Sequence, residues 1–378
     1  MEPEDAEGCA RALALCHRER MAVVPVGSGT RLEIGNPPSR LDVFLSTLAL
    51  SGVEDHVPGD LTVAVRAGTK LQDLQRELGR SRQFLPVDPP QPERATIGGI
   101  FALGEPGFRR RPGARPRDLL LGFEAVLADG TSVKAGGRVV KNVAGYELMK
   151  LFVGSSGTLA VMTRAFLRLR ALPEEALTIA ARLRSAMAAA TAFRELARLP
   201  LSPEAVALLN PSHSRERGLE DWTLLARYEG FRQEAVDGIE QARAIFRKNE
   251  TMPPEVWDDL RDFPLTPLRE AELLVRGQAA PARSFDLARS WEDGGPLVAY
   301  PDSGLVYSLT EDPEALADRE EKARLLGANV VVERAPASVK GERDVFGEIP
   351  GGFTLMKSIK QKLDPEGILS PGRFVGRL

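Results

Sequence analysis

The residues with the clearest chemical potential in this sequence are glycines grouped far apart along the chain. Pro25-Val26-Gly27-Ser28-Gly29-Thr30 stands near the start, and Thr96-Ile97-Gly98-Gly99 through Gly154-Ser155-Ser156-Gly157-Thr158 follows later. Glycine turns with positive φ and lets a backbone approach a phosphate closely, so that exposed N–H groups can wrap the anion. A single loop of this kind reads equally as an ordinary turn. Two such regions, each after an extended apolar stretch and separated by enough chain for a small α/β unit, point to a dinucleotide pinned between two lobes. A second feature is the basic run Arg109-Arg110-Arg111-Pro112-Gly113-Ala114-Arg115-Pro116-Arg117. It reads first as a solvated loop or partner-docking patch, and second as a guanidinium clamp for a carboxylate.

The elements that must hold these loops can be read from pattern. Residues 3–19 form a helix with Ala10, Leu13, Ala14 and Cys16 near one stripe, and Met21–Val26 is a strand feeding the first glycine loop. Strands are expected over Val43–Ser46, Val53–Val57 and Leu61–Arg66, with a turn at Pro58-Gly59-Asp60. Thr69 is expected to cap a helix over Leu71–Leu78, which Gly79 ends. Gly122–Leu127 and Thr131–Lys134 form a hairpin around Asp129-Gly130, and Leu159–Leu169 is a long strand. Hairpins mixed with helices make this half α+β rather than a plain doubly wound sheet.

Composition shifts near Pro173. Strands are expected at Leu177–Leu183, Ala205–Asn210, Trp222–Tyr228, Glu272–Gly277, Leu297–Tyr300, Gly304–Leu309 and Asn329–Glu333. Helices are expected at Phe231–Arg247, near Ala282–Trp291, and at Glu314–Leu326. Two β–α–β–β-like rounds suggest a ferredoxin-like domain. A last helix, Thr354–Leu363, stops at Asp364-Pro365 and leaves an ordered tail. The resulting division is 1–173, 174–350 and 351–378.

Bulk properties narrow the function. The chain has 378 residues, too many for one typical core, and a formal charge of −3 that gives no reason to expect nucleic acid. No apolar run approaches the roughly 18 residues that span a bilayer, and the acidic start Met-Glu-Pro-Glu-Asp is unlike a signal peptide. Only two cysteines occur, Cys9 and Cys16. They exclude a disulfide framework or a four-cysteine metal site within the chain and read as core packing, so the chain is expected to be cytoplasmic.

These motifs together resemble flavoproteins with the vanillyl-alcohol-oxidase-type (PCMH-type) FAD-binding domain. The likeness rests on the Pro-x-Gly-x-Gly-Thr loop, Thr96-Ile97-Gly98-Gly99, Arg117-Asp118, Lys141-Asn142-Val143-Ala144-Gly145-Tyr146-Glu147-Leu148 and Gly154-Ser155-x-Gly157-Thr158-Leu159. It includes the tail Leu363-Asp364-Pro365-x-Gly367-Ile368-Leu369-Ser370-Pro371-Gly372-Arg373. Within that family the pattern looks most like the E subunit of bacterial glycolate oxidase. The resemblance implies a two-lobed FAD-binding domain, a ferredoxin-like α/β cap and a C-terminal tail returning to the flavin.

It also implies roles. Pro25, Gly27, Ser28, Gly29 and Thr30 would meet the FAD pyrophosphate, and Thr96, Ile97, Gly98 and Gly99 would form a second wall near the flavin ring. Gly154, Ser155 and Gly157 would lie against the adenine–ribose side, with Val161 a backbone contact on the next strand. Lys141 and Asn142 would lie near the isoalloxazine, and Ser370 and Arg373 would cover it. The family usually has Asn where Ser370 stands.

Oxidising a 2-hydroxy acid requires a base for the hydroxyl proton, usually a His, because its pKa lies near working pH. The chain has three His. His17 reads as a surface residue and His56 as structural. His213, in a polar loop of the second domain, is the one candidate with access to the flavin front. Relatives resembling the D subunit carry cap histidines, whereas the matching stretch from Val330 to Phe353 has none. No His or Cys in the first loop could attach FAD covalently. The leading expectation is an accessory or electron-relaying FAD subunit beside a catalytic flavoprotein subunit and an iron–sulfur subunit, reaching the inner membrane only through these partners. The alternatives are a self-sufficient FAD-dependent 2-hydroxy-acid dehydrogenase and a structural subunit that has lost its flavin.

Overall fold

A computed structural model describes residues 1–111, 113–137, 147–215, 221–268, 272–310 and 313–378. The chain divides into two compact units. The first comprises residues 1–107, 112–172 and 349–378, and the second comprises residues 108–111 and 173–348.

In the first unit the strands are β1 (Val23–Val26), β2 (Val43–Ser46), β3 (Val53–Val57), β4 (Thr62–Arg66), β5 (Gln83–Phe84), β6 (Leu120–Val126), β7 (Ser132–Gly136), β8 (Val161–Arg168) and β9 (Arg170–Ala171). β1 and β2 run parallel, and Leu369 of the tail adds beside Val23 as a further parallel bridge. Helix Ala6–Arg18 packs here through Cys9, Leu13 and Cys16, one stripe at helical spacing. Asp5 caps it by accepting from the Gly8 N–H at 2.7 Å. Burial pushes the Cys9 thiol up to about 12, which leaves it an inert core residue. A five-stranded antiparallel sheet in the order β3-β4-β8-β6-β7 forms the rest of the scaffold. Its inner strand β4 is buried at Thr62, Val63, Ala64 and Val65, and helix Leu71–Gly79 lays Leu71, Leu74 and Leu78 on its core side. Thr69 does not cap that helix. Lys70 occupies the cap position, and the Thr69 hydroxyl instead accepts from the Gly52 N–H at 2.9 Å.

In the second unit, β10 (Glu175–Leu183), β11 (Ala205–Leu209), β12 (Trp222–Gly230), β13 (Asn249–Met252), β14 (Leu273–Gln278), β15 (Leu297–Tyr300), β16 (Leu305–Thr310) and β17 (Asn329–Arg334) form one antiparallel sheet. Among the described residues its order is β13-β10-β12-β11-β15-β16-β14-β17. Each half is a β-α-β-β-α-β round. Helices Ala186–Leu196 and Arg232–Ile245 serve the first round, and Ser284–Ser290 and Pro313–Leu325 the second. The halves meet edge to edge at only Leu208↔Ala299 and Leu209↔Val298. Asn210, fully buried beside this seam, accepts from the His213 and Leu297 N–H groups and donates to the Glu292 and Gly295 carbonyls. All four of its hydrogen bonds are made, so the seam is fixed by a polar side chain as well as by strand pairing.

Elements here that the sequence pattern does not predict include helices Ala186–Leu196, Pro211–Arg215, Val256–Asp262 and Ala337–Glu342, and strand β13. The basic run also departs from expectation. Arg109 and Arg110 are 7% and 9% exposed, not solvated. Arg109 pairs with Glu229 at 2.7 Å, and the Arg110 guanidinium lies 4.7 Å from the centre of the Tyr300 ring. The Arg227 side chain also bonds Glu229, and Phe108 stacks against Trp257 at 5.0 Å. Residues Phe108–Arg111 are therefore a structural strap of the second unit. Among the described residues, no helix is long and apolar enough to cross a membrane.

Candidate functional site

The first unit contains a cleft of about 1210 Å³ including its open mouth. Its walls are the three glycine-rich segments and the tail, each delivered by a different element.

The first wall follows β1. Pro25, Gly27, Ser28, Gly29 and Thr30 all line the cleft. Among the described residues the N–H groups of Gly27, Ser28, Gly29 and Thr30 donate to nothing in the chain. The Ser28 hydroxyl is shut from solvent and has no hydrogen-bond partner. Native folds rarely leave buried polar groups unmet, so this cluster has the form of an anion cradle. Gly27 is obligatory for packing, because a Cβ there would lie 2.2 Å from the Thr96 hydroxyl. The loop is steadied from outside by Arg94, which donates to the Ser28 carbonyl at 3.1 Å.

The second wall is the start of helix Ile97–Leu103. Thr96 is its N-cap, and its hydroxyl accepts from the Gly99 N–H at 3.3 Å. Thr96, Gly98 and Gly99 line the cleft, whereas Ile97 points into the core beneath it and is fully buried. The Ile97 and Gly98 N–H groups are already bonded to the Thr69 and Ala67 carbonyls. This wall thus supplies shape more than donors. Arg31 and Glu105 tie it to the first, through two hydrogen bonds of 3.0 and 3.2 Å.

The third wall hangs from that helix. The Gly154 and Ser156 N–H groups donate to the Phe101 and Ala102 carbonyls, satisfying the helix end. Ser155 and Gly157 line the cleft, and so does Val161 at the start of β8, while Gly154 does not. Ser156 and Gly157 both adopt positive φ, at 55° and 70°. Phe123, Phe152, Ala160 and Met162 add an apolar floor. Lys141 and Asn142 lie outside the described residues.

The tail closes the set with Ser370 and Arg373. Ser370 has φ of 45°, a conformation Asn tolerates better than Ser, and its hydroxyl donates to the Gly157 carbonyl at 3.4 Å. The Arg373 guanidinium donates to the Leu32 and Ile34 carbonyls at 2.9 and 2.7 Å. Burial pulls its pKa down, and among the described residues no carboxylate faces it. It stays charged at neutral pH and offers a cation to the cleft. Unused amides, an unmatched hydroxyl and a guanidinium facing no carboxylate among the described residues fit a pyrophosphate, and the apolar floor fits flat rings, so the residues present suit FAD.

The histidines lie elsewhere. His17 is on helix Ala6–Arg18, and His56 Nε2 sits 2.9 Å from Gln83 Oε1. His213, expected in an accessible loop, is 2% exposed on helix Pro211–Arg215, its ring 5.1 Å from that of Phe263.

Comparisons with known proteins agree with this geometry. Residues 1–136 match the FAD binding domain family, and residues 348–374 match the C-terminal domain of FAD linked oxidases. The chain is 26% identical to glycolate oxidase subunit GlcD of Bacillus subtilis, over 99% of this chain and 88% of the relative. It is 28% identical to D-lactate dehydrogenase of Archaeoglobus fulgidus, over 100% and 91% respectively. With glycolate oxidase subunit GlcE of Escherichia coli it shares 27% identity over 95% of this chain and 94% of the relative. Among solved structures, alkyldihydroxyacetonephosphate synthase superposes with a TM-score of 0.75 at 16% identity, covering 98% of this chain and 75% of that one.

Proposed function

Taking as premise that this chain is an FAD-binding flavoprotein of the PCMH type, we propose that it is the FAD-binding subunit of a glycolate oxidase-like complex. Its activity class is FAD-dependent oxidation of 2-hydroxy acids, the class shared by its glycolate oxidase and D-lactate dehydrogenase relatives. Within the complex it relays electrons or scaffolds its partners, and a second flavoprotein subunit activates the acid.

One observation carries this division of labour. The cleft holds a complete anion cradle, yet none of the three histidines of the chain lines it. Deprotonating the hydroxyl of a 2-hydroxy acid calls for a base titrating near working pH, and within the first unit neither His17 nor His56 is at the cleft, while His213 is buried within the second unit. The chain's own residues divide the remaining tasks. Gly27–Thr30 amides and the Ser28 hydroxyl hold the pyrophosphate, and Arg373 balances its charge. The floor formed by Phe123, Phe152 and Met162 excludes water from the rings. FAD, when bound, supplies the capacity to accept two electrons. Lys141 and Asn142 remain proposed ring contacts. With no Cys or His in the lining, the cofactor is held without a covalent bond. Two cysteines are too few for a four-cysteine cluster, so electrons leave through an iron–sulfur partner. The subunit works in the cytoplasm and meets the inner membrane only through those partners.

An anaerobic visible spectrum of the purified chain tests this, taken before and after glycolate, D-lactate and dithionite. The expected result is a yellow protein that neither acid bleaches and dithionite does. Bleaching by either acid would make it a self-sufficient dehydrogenase. A chain that stays colourless with added FAD would make it a scaffold without flavin.

A further inference from the structure

One ammonium joins three separate stretches of the first unit. Lys360, on helix Phe353–Leu363, is 9% exposed, and its Nζ donates to three acceptors. These are the Thr158 carbonyl at 2.8 Å, the Leu369 carbonyl at 2.8 Å, and Asp364 Oδ2 at 2.5 Å. Every donor of the ammonium is used. Asp364, 2% exposed, accepts in turn from the Ile368 and Leu369 N–H groups at 3.0 and 2.8 Å.

Both carbonyl acceptors adjoin residues that line the cleft. Thr158 ends the third glycine segment, directly after Gly157. Leu369 precedes Ser370 and leads to Arg373. The same stretch bonds β1, through Val23 N–H to the Ile368 carbonyl and Ser370 N–H to the Val23 carbonyl, and β1 delivers the first glycine loop. A Lys and an Asp that contact no cleft surface therefore tie the third glycine segment to the tail, and the tail in turn is bonded to β1.

We propose that Lys360 is a positioning residue for FAD, holding the tail and the third glycine segment at the separation the cofactor requires. The proposal rests on the cleft being the FAD site. A buried ion pair could instead serve stability alone, and the two roles separate in a double variant. K360M leaves the Asp364 charge buried and unmatched, which destabilises any protein. K360M/D364L removes that charge with an apolar side chain of similar size and so relieves the buried-charge penalty, but it does not restore the link between the Thr158 and Leu369 carbonyls.

The experiment titrates FAD into flavin-stripped wild type, K360M and K360M/D364L, and records melting of each apo form. The expected result is FAD binding at least about tenfold weaker in both variants, the scale of one lost hydrogen bond to a charged group. The apo double variant should melt above K360M, because no unmatched charge is left buried. Wild-type affinity in the double variant would overturn the proposal. Hydrogen exchange on the wild type reads the same coupling without a variant. By linkage, FAD should slow exchange at Ile368, Leu369 and Ser370, and unchanged rates there would also overturn it. A wild-type chain that takes up no FAD would instead remove the proposed function itself.

Discussion

Ser28 in the first unit and Glu229 in the second are both polar side chains withdrawn from water, and they are treated in opposite ways. Ser28 has no hydrogen-bond partner, and the amides around it donate to nothing in the chain. Glu229 is held by both Arg109 and Arg227. Burial alone would raise its pKa, and the two guanidiniums more than reverse this, leaving the carboxyl below its ordinary value. The second unit carries more charge on the strap Phe108–Arg111 than the cleft does, yet its charges answer one another. A binding site is marked by hydrogen-bonding capacity left open, and a dense run of arginines marks only where a partner must be found.

That contrast can be broken at its strongest point first. E229Q would leave two guanidiniums facing a neutral amide, and melting should show a loss of about 3–5 kcal/mol in the second unit. FAD affinity of the folded protein should stay unchanged. The same pair predicts the acid response of the wild type. Because the folded carboxyl titrates below its unfolded value near 4.5, its stabilisation is full above that pH and is lost as pH falls through the folded value. The acid-induced loss should be smaller in E229Q. G27V comes next. Its side chain would enter the space of Thr96, whose own hydroxyl is fixed to Gly99, and FAD binding should weaken on the order of 100-fold, about 2.7 kcal/mol. Melting of the second unit should not move. S28A is the smallest test. Removing a hydroxyl that bonds nothing in the apo chain should leave or slightly raise apo stability, while FAD binding weakens by roughly 1 kcal/mol. Equal losses in apo and FAD-bound forms would mean the hydroxyl faces the fold and not a ligand.

Much of the scaffold was legible because local pattern and final burial coincide. Val53–Val57 and Leu297–Tyr300 are strands at the limits their composition suggests. The glycine segments were legible as a group, since each carries its own turn chemistry. Helix Ala186–Leu196 was not. Its buried stripe is made almost wholly of alanines, Ala186, Ala189 and Ala190 before Leu196, small residues that a search for large apolar side chains at helical spacing passes over. Strand β13, Asn249–Met252, has almost no apolar residue and exists through pairing with β10. The strap failed for a related reason, because the partner of Arg109 lies 120 residues away. His213 reads as a loop residue, yet its N–H donates to the Asn210 side chain three residues earlier, so Asn210-Pro211 was a local helix-start signal that a reading by apolar pattern passes over. Within the cleft, the identity of the lining residues was readable, but the prior engagement of the Ile97 and Gly98 amides was not.

The parallel bridge between Val23 and Leu369 has a consequence for the order of events on the ribosome. β1 emerges early, but the stretch that flanks it is translated only after the whole second unit, residues 173–348. Domains generally acquire structure as they leave the exit tunnel, at about 5–20 residues per second. Here the first unit must wait, incomplete, while its neighbour in sequence is made and folds. Flavin loading is thereby a late step in biogenesis, and any nascent chain truncated before Leu369 is released without a finished cradle.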